Sequence, residues 1–180
     1  MSSKVKKKIL GLKESSTLAI NEKSKELILK GKKIYQFGFG QSPFPVPEKI
    51  VKKLKENAHR KEYLPIQGLP ELRKKISNYL FERTGNNYPI ENILITPGSK
   101  EAMLLIHIAF DGDIIIPAPG WVSYKPQADI GSNKVHWLET YRSNNWFPSG
   151  KDLEKKIKSI GKRKNLILIL NSPNNPSGSV

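Results

Sequence analysis

The stretch Asp113-Ile114-Ile115-Ile116-Pro117-Ala118-Pro119-Gly120-Trp121-Val122-Ser123-Tyr124 decides the fold. After Asp113 it is apolar at consecutive positions, without the alternation of a strand that has one wet face. Such a strand belongs in a sheet covered on both sides. Asp113–Ile116 is therefore read as a buried strand, stopped by Pro117-Ala118-Pro119-Gly120. Downstream, Trp121–Asp129 reads as a short helix despite Pro126, Val135–Leu138 as a strand and Asp152–Ile160 as a helix. Leu166–Leu170 is another apolar strand, running into the polar turn Asn171–Gly178. Upstream, Ile93–Thr96 reads as a strand broken by Pro97-Gly98, and Ser99–Phe110 as a helix opened by serine. Strands alternating with helices predict an α/β fold, a mostly parallel sheet with flanking helices.

The first third is less regular. Lys4–Lys8 read as a mobile arm, and Thr17 as the cap of a helix to about Lys30, stopped by Gly31. Lys33–Phe39 reads as a short strand, followed by an irregular turn through Gly38, Gly40, Pro43, Pro45 and Pro47. Pro47 suits the first position of a helix to about Arg60, because its missing N–H costs nothing there. Tyr63–Pro70 is a loop. Leu69–Arg83 is a helix with Leu72, Ile76, Tyr79 and Leu80 inward, ended by Gly85.

Composition narrows the function classes. With 37% apolar and 26% charged residues, the 180-residue chain is ordinary globular material rather than disordered. No apolar run is long enough to cross a bilayer, and no apolar secretory segment follows the basic N-terminus. Cysteine is absent, which removes a disulfide framework and thiolate chemistry. Asn175-Pro176-Ser177 is no glycosylation acceptor, because proline stands in its middle. The expectation is a cytoplasmic protein with no membrane partner. A net charge of +15 raises nucleic acid as a partner. The charge is mostly lysine, however, set along helices as Lys52-Lys53-Lys55, Lys74-Lys75 and Lys155-Lys156-Lys158, which read as solvated faces. Arginine, the better fork for phosphates and bases, is confined to Arg60, Arg73, Arg83, Arg142 and Arg163. No nucleic-acid partner is expected. His59, His107 and His136 have no metal-ligand spacing, and no metal is expected. His107, inside an apolar helix, reads as packed rather than catalytic. Glu101 stands in a helix's first turn, where a carboxylate suits the dipole.

Three loops carry chemistry. Thr96-Pro97-Gly98-Ser99-Lys100-Glu101-Ala102 joins a strand to a helix N-terminus, with unpaired N–H groups, a glycine for close approach and a hydroxyl. It can cup an anion, although taken alone Ser99 reads first as a helix cap. Trp121 follows a buried strand and can either stack on a flat ring or fill the core. Asn175, held extended before Pro176, can offer its amide to a phenolic or carbonyl oxygen. An Asn/Pro/Gly turn by itself is usually only a turn. All three loops leave predicted strands at one edge of the sheet, where they can converge on a crevice.

Taken in order, these segments resemble the class I/II, fold type I, pyridoxal-phosphate-dependent aminotransferases. Asn171-Ser172-Pro173-Asn174-Asn175-Pro176-Ser177-Gly178 is similar to that family's Asn-Pro-Thr/Ser-Gly signature. Pro117-Ala118-Pro119 with Trp121-Val122-Ser123-Tyr124 resembles its ring-stacking segment, and Gly98-Ser99-Lys100-Glu101-Ala102 its phosphate turn. Tyr63-Leu64-Pro65-Ile66-Gln67-Gly68-Leu69-Pro70-Glu71-Leu72-Arg73 resembles its Tyr…Gly…Leu-Arg motif, and Phe37-Gly38-Phe39-Gly40-Gln41 its N-terminal glycine segment. The likeness runs from about Lys33 to Gly178.

The resemblance implies roles. Gly98, Ser99 and Lys100 would hold the phosphate of pyridoxal 5'-phosphate. Trp121 would stack on its ring, and Asn175 would donate to the ring's 3-oxygen. Trp121 and Asn175 would also border the substrate, and Gly40 would touch the substrate carboxylate by its backbone. Tyr63 would reach the phosphate of a neighbouring subunit, so the resemblance implies a homodimer acting on an amino acid and a 2-oxo acid. Residues 1–46 would be an N-terminal arm and small-domain segment, and residues 47–180 an incomplete cofactor-binding large domain. The family places its Schiff-base lysine after the Asn-Pro-Thr/Ser-Gly turn, and nothing around Lys100 resembles that lysine's motif. The expectation is a truncated chain, inactive alone, with no catalytic residue of its own assigned. The alternatives are a fragment of another fold type I enzyme (C–S lyase, decarboxylase or cyclopropane-carboxylate synthase type) or a non-catalytic remnant.

Overall fold

The computed structural model describes residues 4–5, 7–12, 16–38, 40, 42–161 and 165–180. At its centre lie β1 (Asp113–Ala118), β2 (Val135–Glu139) and β3 (Leu166–Leu168), all parallel, in the order β2-β1-β3. β1 is the middle strand. That position explains its unbroken apolar run: Ile114, Ile115 and Ile116 are at most 1% exposed. Ile114 pairs with Val135 and Ala118 with Glu139 on one side. Asp113 pairs with Leu166 and Ile115 with Leu168 on the other.

Seven helices surround or precede the sheet among the described residues: α1 (Lys7–Leu10), α2 (Ser16–Leu29), α3 (Glu48–Asn57), α4 (Pro70–Thr84), α5 (Ser99–Ala109), α6 (Tyr124–Gly131) and α7 (Gly150–Ile160). α6 carries the chain from β1 to β2, and α7 carries it back past β1 to β3. The two crossovers run in opposite directions, so right-handed connections place α6 and α7 on opposite faces. α6 packs against α5, and α7 against β2. Ile114 and Ile116 form the core with Tyr124 and Ala128 of α6, joined by Met103 and Phe110 and by Trp121. Ile115, one residue out of phase, faces the other layer.

Local chemistry sets the helix ends. The Ser149 hydroxyl caps α7, accepting the Asp152 N–H at 3.1 Å and donating to the Asp152 carboxylate at 2.5 Å. α4 ends at Gly85, whose φ of 72° lets its N–H return to the Phe81 carbonyl.

Several expectations give way to the structure. Residues 32–38 form no strand, because among the described residues no strand pairs beside them; Tyr35 and Phe37 are 70% and 92% exposed. Phe39, at the end of that expected strand, lies outside the described residues. Ile93–Thr96 is extended at its start but forms no ladder, since the Ile95 N–H goes to the carbonyl of Gln67 in a loop. Part of the expected arm is α1, which reaches α6. α2 already begins at Ser16, so Thr17 lies inside the helix rather than capping it. Pro47 precedes α3 instead of opening it, accepting the Ile50 and Val51 N–H groups. α6 starts three residues after Trp121, because Trp121 closes a turn onto the Tyr124 N–H first. On α4, Leu72 and Tyr79 are exposed, while Arg73 turns inward at 7% exposure. Its guanidinium donates to Gln67 Oε1 at 2.8 Å and to the Ile90 carbonyl at 3.0 Å.

Candidate functional site

The carboxyl ends of parallel strands are where such a sheet collects its ligand loops. The loop after β1, the turn beyond β3 and the start of α5 meet there around a crevice of about 780 Å³. Gly38, Gly40, Lys100, Trp121, Asn174 and Asn175 line it, along with Leu18 and Phe37. The volume falls in the range of small-molecule pockets.

Trp121 is the flat wall. It is half-buried, resting on the core cluster, with its ring edge-on to Tyr124 at a centroid distance of 5.5 Å and an interplanar angle of 83°. Tyr124 is 6% exposed, and burial pushes its phenol above the ordinary tyrosine value, so it stays neutral. The Lys100 ammonium stands 5.6 Å from the Trp121 ring centroid, within cation–π range.

The cup is the start of α5. Gly98 has φ 90° and ψ 161°, a conformation open essentially to glycine. Its N–H donates to the Thr96 carbonyl at 2.7 Å, and the Thr96 hydroxyl donates to the Gly98 carbonyl at 3.0 Å. Gly98's own amide is therefore engaged within the turn. The amides of Ser99, Lys100 and Glu101 follow, without intrahelical acceptors. Ser99 makes no capping bond; it stands exposed as the first helical residue. The helix dipole, these amides, the Ser99 hydroxyl and the Lys100 ammonium give one positive locus.

Side chains tie the loops together. Gln127, 6% exposed on α6, donates to the Lys100 carbonyl at 2.7 Å. Asn174 donates to the Pro119 carbonyl at 3.3 Å and to the Ser177 hydroxyl at 2.8 Å, joining the turn beyond β3 to the loop after β1. Thr140 donates to the Ala118 carbonyl through both its N–H, at 3.2 Å, and its hydroxyl, at 2.6 Å. The Ser179 hydroxyl donates to the Asn145 carbonyl. The peptide bonds Ala118–Pro119, Ser172–Pro173 and Asn175–Pro176 are cis.

Of the residues singled out from the sequence, Gly40, Lys100, Trp121 and Asn175 border this one crevice. Gly98 and Ser99 form the adjoining helix start. Tyr63 is fully exposed and does not border it. Sequence reasoning passed over Gln127 and Asn174. Gln127 had a signal, a polar residue on the inward stripe with Tyr124 and Ala128. Asn174 was masked by its neighbour, an identical side chain. Two histidines lie elsewhere. His136 Nε2 is 2.8 Å from the Asp113 carboxylate, at the opposite end of β1. His107 is 2% exposed, and burial holds its imidazole below the ordinary histidine value, partly offset by Asn133 beside it. Among the described residues no group of three or more His, Cys, Asp or Glu side chains is placed to hold a metal, and no helix is long and apolar enough to cross a membrane.

Fold and site thus define a layered α/β protein in which a helix start, a tryptophan and an asparagine-bearing turn meet at the carboxyl edge of a parallel sheet. Residues 32–180 match the model of the family "Aminotransferase class I and II", and the chain belongs to that family. It is 33% identical to an aspartate aminotransferase of Thermotoga maritima, over 98% of this chain and 47% of that protein. It is 32% identical to an aspartate aminotransferase of Geobacillus stearothermophilus, over 98% of this chain and 45% of the relative. Among solved structures, the aspartate aminotransferase of Thermotoga maritima superposes with a TM-score of 0.85 at 30% identity, covering 96% of this chain and 46% of that one. The chain spans just under half the length of these relatives.

Proposed function

We propose that this chain carries the cofactor cradle of a pyridoxal-phosphate-dependent aminotransferase, moving an amino group between an amino acid and a 2-oxo acid. The observation that carries the reading is convergence: Lys100, Trp121, Asn175 and Gly40, from four separate segments, border one crevice. The residues suit the cofactor. A dianionic phosphate fits the start of α5, where the Ser99 and Lys100 amides, the Ser99 hydroxyl and the Lys100 ammonium gather, with Gly98 allowing close approach. A flat ring would lie against Trp121, and Asn175, on the crevice wall, would offer its amide to a ring oxygen. When bound, pyridoxal phosphate supplies the electron sink that weakens bonds at the amino-acid carbon.

The chain's own residues bind and orient. Trp121 keeps water from one face of the ring. Asn175 steadies the ring oxygen's charge. Gly40, without a side chain, leaves its backbone open to a substrate carboxylate. Tyr63, wholly exposed and outside the crevice, supports a role at the site of a second copy, hence a homodimer. The same reading divides the chain into residues 1–46, an arm and small-domain segment, and residues 47–180, part of the cofactor-binding domain, in a cytoplasmic protein. Titration of the chain with pyridoxal phosphate, followed by tryptophan fluorescence, tests the cradle. Saturable quenching that inorganic phosphate competes away is expected. A chain that takes up neither compound sinks the reading.

A further inference from the structure

The cup at the start of α5 and the Trp121 wall come from segments about twenty residues apart, yet the site works only if their mutual aim is held. Charge alone does not hold it, because Lys100 is an exposed, flexible side chain. One buried side chain spans the gap. Gln127 sits on α6, the helix that begins just after Trp121, and its Nε2 donates at 2.7 Å to the backbone carbonyl of Lys100, 27 residues away. In an α-helix that carbonyl already accepts the N–H four residues on, so Gln127 takes its second lone pair. The bond grips the backbone of the cup without touching the groups that would face an anion. The other end of the amide, Oε1, is buried with no hydrogen-bond partner. A buried acceptor left without a bond costs about 1–3 kcal/mol. A leucine of similar size would avoid that cost, so packing alone does not account for glutamine here.

We propose that Gln127 is a positioning residue: its bond to the Lys100 carbonyl locks the first turn of α5 against α6, and so fixes the aim of the phosphate cup relative to the Trp121 wall. Gln127 acts through backbone and touches neither cofactor nor substrate. The inference rests on the cradle reading above.

The test titrates the chain with pyridoxal phosphate and, separately, with inorganic phosphate, alongside its melting temperature. Gln127→Leu keeps the volume and removes the donor. Its affinity for both compounds falls roughly tenfold, the scale of one misplaced hydrogen bond. Gln127→Glu guards against a variant that fails to fold. As a carboxylate it cannot donate, and binding is weak; protonated at acid pH, it donates again, and its affinity returns towards that of the unaltered chain at the same pH. Asn133→Ala is the control for mere destabilisation. It loses bonds to the Phe110 and Gly112 carbonyls at the far end of α5, and lowers the melting temperature while leaving affinity in place. The inference is overturned if Gln127→Leu binds phosphate as tightly as the unaltered chain. It is also overturned if Gln127→Glu shows no recovery at acid pH, or if Asn133→Ala loses affinity in the same proportion as stability. Binding that persists in all variants leaves the cradle reading standing; no binding by the unaltered chain removes both.

Discussion

The Lys100 ammonium and the Trp121 ring, 21 positions apart in sequence, lie 5.6 Å from each other, with the cation over the aromatic face. The pair sets a positive charge beside a π surface, the two features that the proposed cofactor calls for. Lys100 belongs to the helix start and Trp121 to the loop after β1, so their meeting is a property of the sheet's carboxyl edge.

Replacing Lys100 with methionine keeps the stem and removes the charge. A charge-assisted hydrogen bond is worth about 1.5–3 kcal/mol, so affinity for inorganic phosphate falls about ten- to a hundredfold. Isothermal titration at fixed ionic strength reads the change. The melting temperature stays put, because Lys100 is exposed.

Trp121→Ala separates the wall from the cup. Pyridoxal phosphate binding weakens strongly, while inorganic phosphate binding is kept. The variant also loses about 2 kcal/mol of stability, less than a fully buried tryptophan would, since only part of the ring packs on the core. Trp121→Phe retains most of both. Paired ligand titrations and denaturant unfolding check this split.

The two adjacent asparagines have different work. Asn174→Ala removes bonds to Pro119 and Ser177 and lowers stability by about 1 kcal/mol, loosening the crevice. Asn175→Ala, at an exposed position, leaves the unfolding midpoint unchanged and weakens only pyridoxal phosphate. Reversed behaviour would exchange the roles assigned to them.

His107 makes stability depend on pH in a definite sense. Burial holds its folded-state value below the ordinary one, so the unfolded chain binds the proton more readily. Its contribution is complete above the ordinary histidine value and is lost as pH falls below that value towards the folded one. Urea unfolding midpoints across that window show the decline, and His107→Leu flattens it relative to the unaltered chain.

Gly68→Ala tests the packing of the loop that carries Tyr63. Gly68 has φ 95°, and a Cβ there would stand 2.6 Å from the Ile95 side chain. Strain and overlap together cost about 3 kcal/mol or more, seen as a lowered melting temperature.

Much of the layered fold was legible because burial on both faces leaves a mark that needs no partner to read. Asp113–Ile116 reads as a strand covered on both faces, and β1 has its isoleucines sealed, at the middle of the sheet. Periodicity likewise located α4, α5 and α7 to within a few residues. The two lost strands, at 33–38 and 93–96 among the described residues, show the limit. An extended apolar segment becomes a strand only when another offers its ladder of N–H and C=O groups, and that offer comes from elsewhere in the chain.

The site divides the same way. By itself the sequence determined which residue types stand at the ends of strands: a glycine before a helix start, a tryptophan after a proline-rich stop, an asparagine ahead of a proline. Local geometry and order along the chain carry that information. Only the tertiary structure decided that Gln127 reaches back to the Lys100 carbonyl, that Asn174 rather than Asn175 ties the loops, that Arg73 turns inward, and that Tyr63 stands apart. Those outcomes depend on distances between segments far apart in sequence, and on which polar group finds a partner once water is excluded.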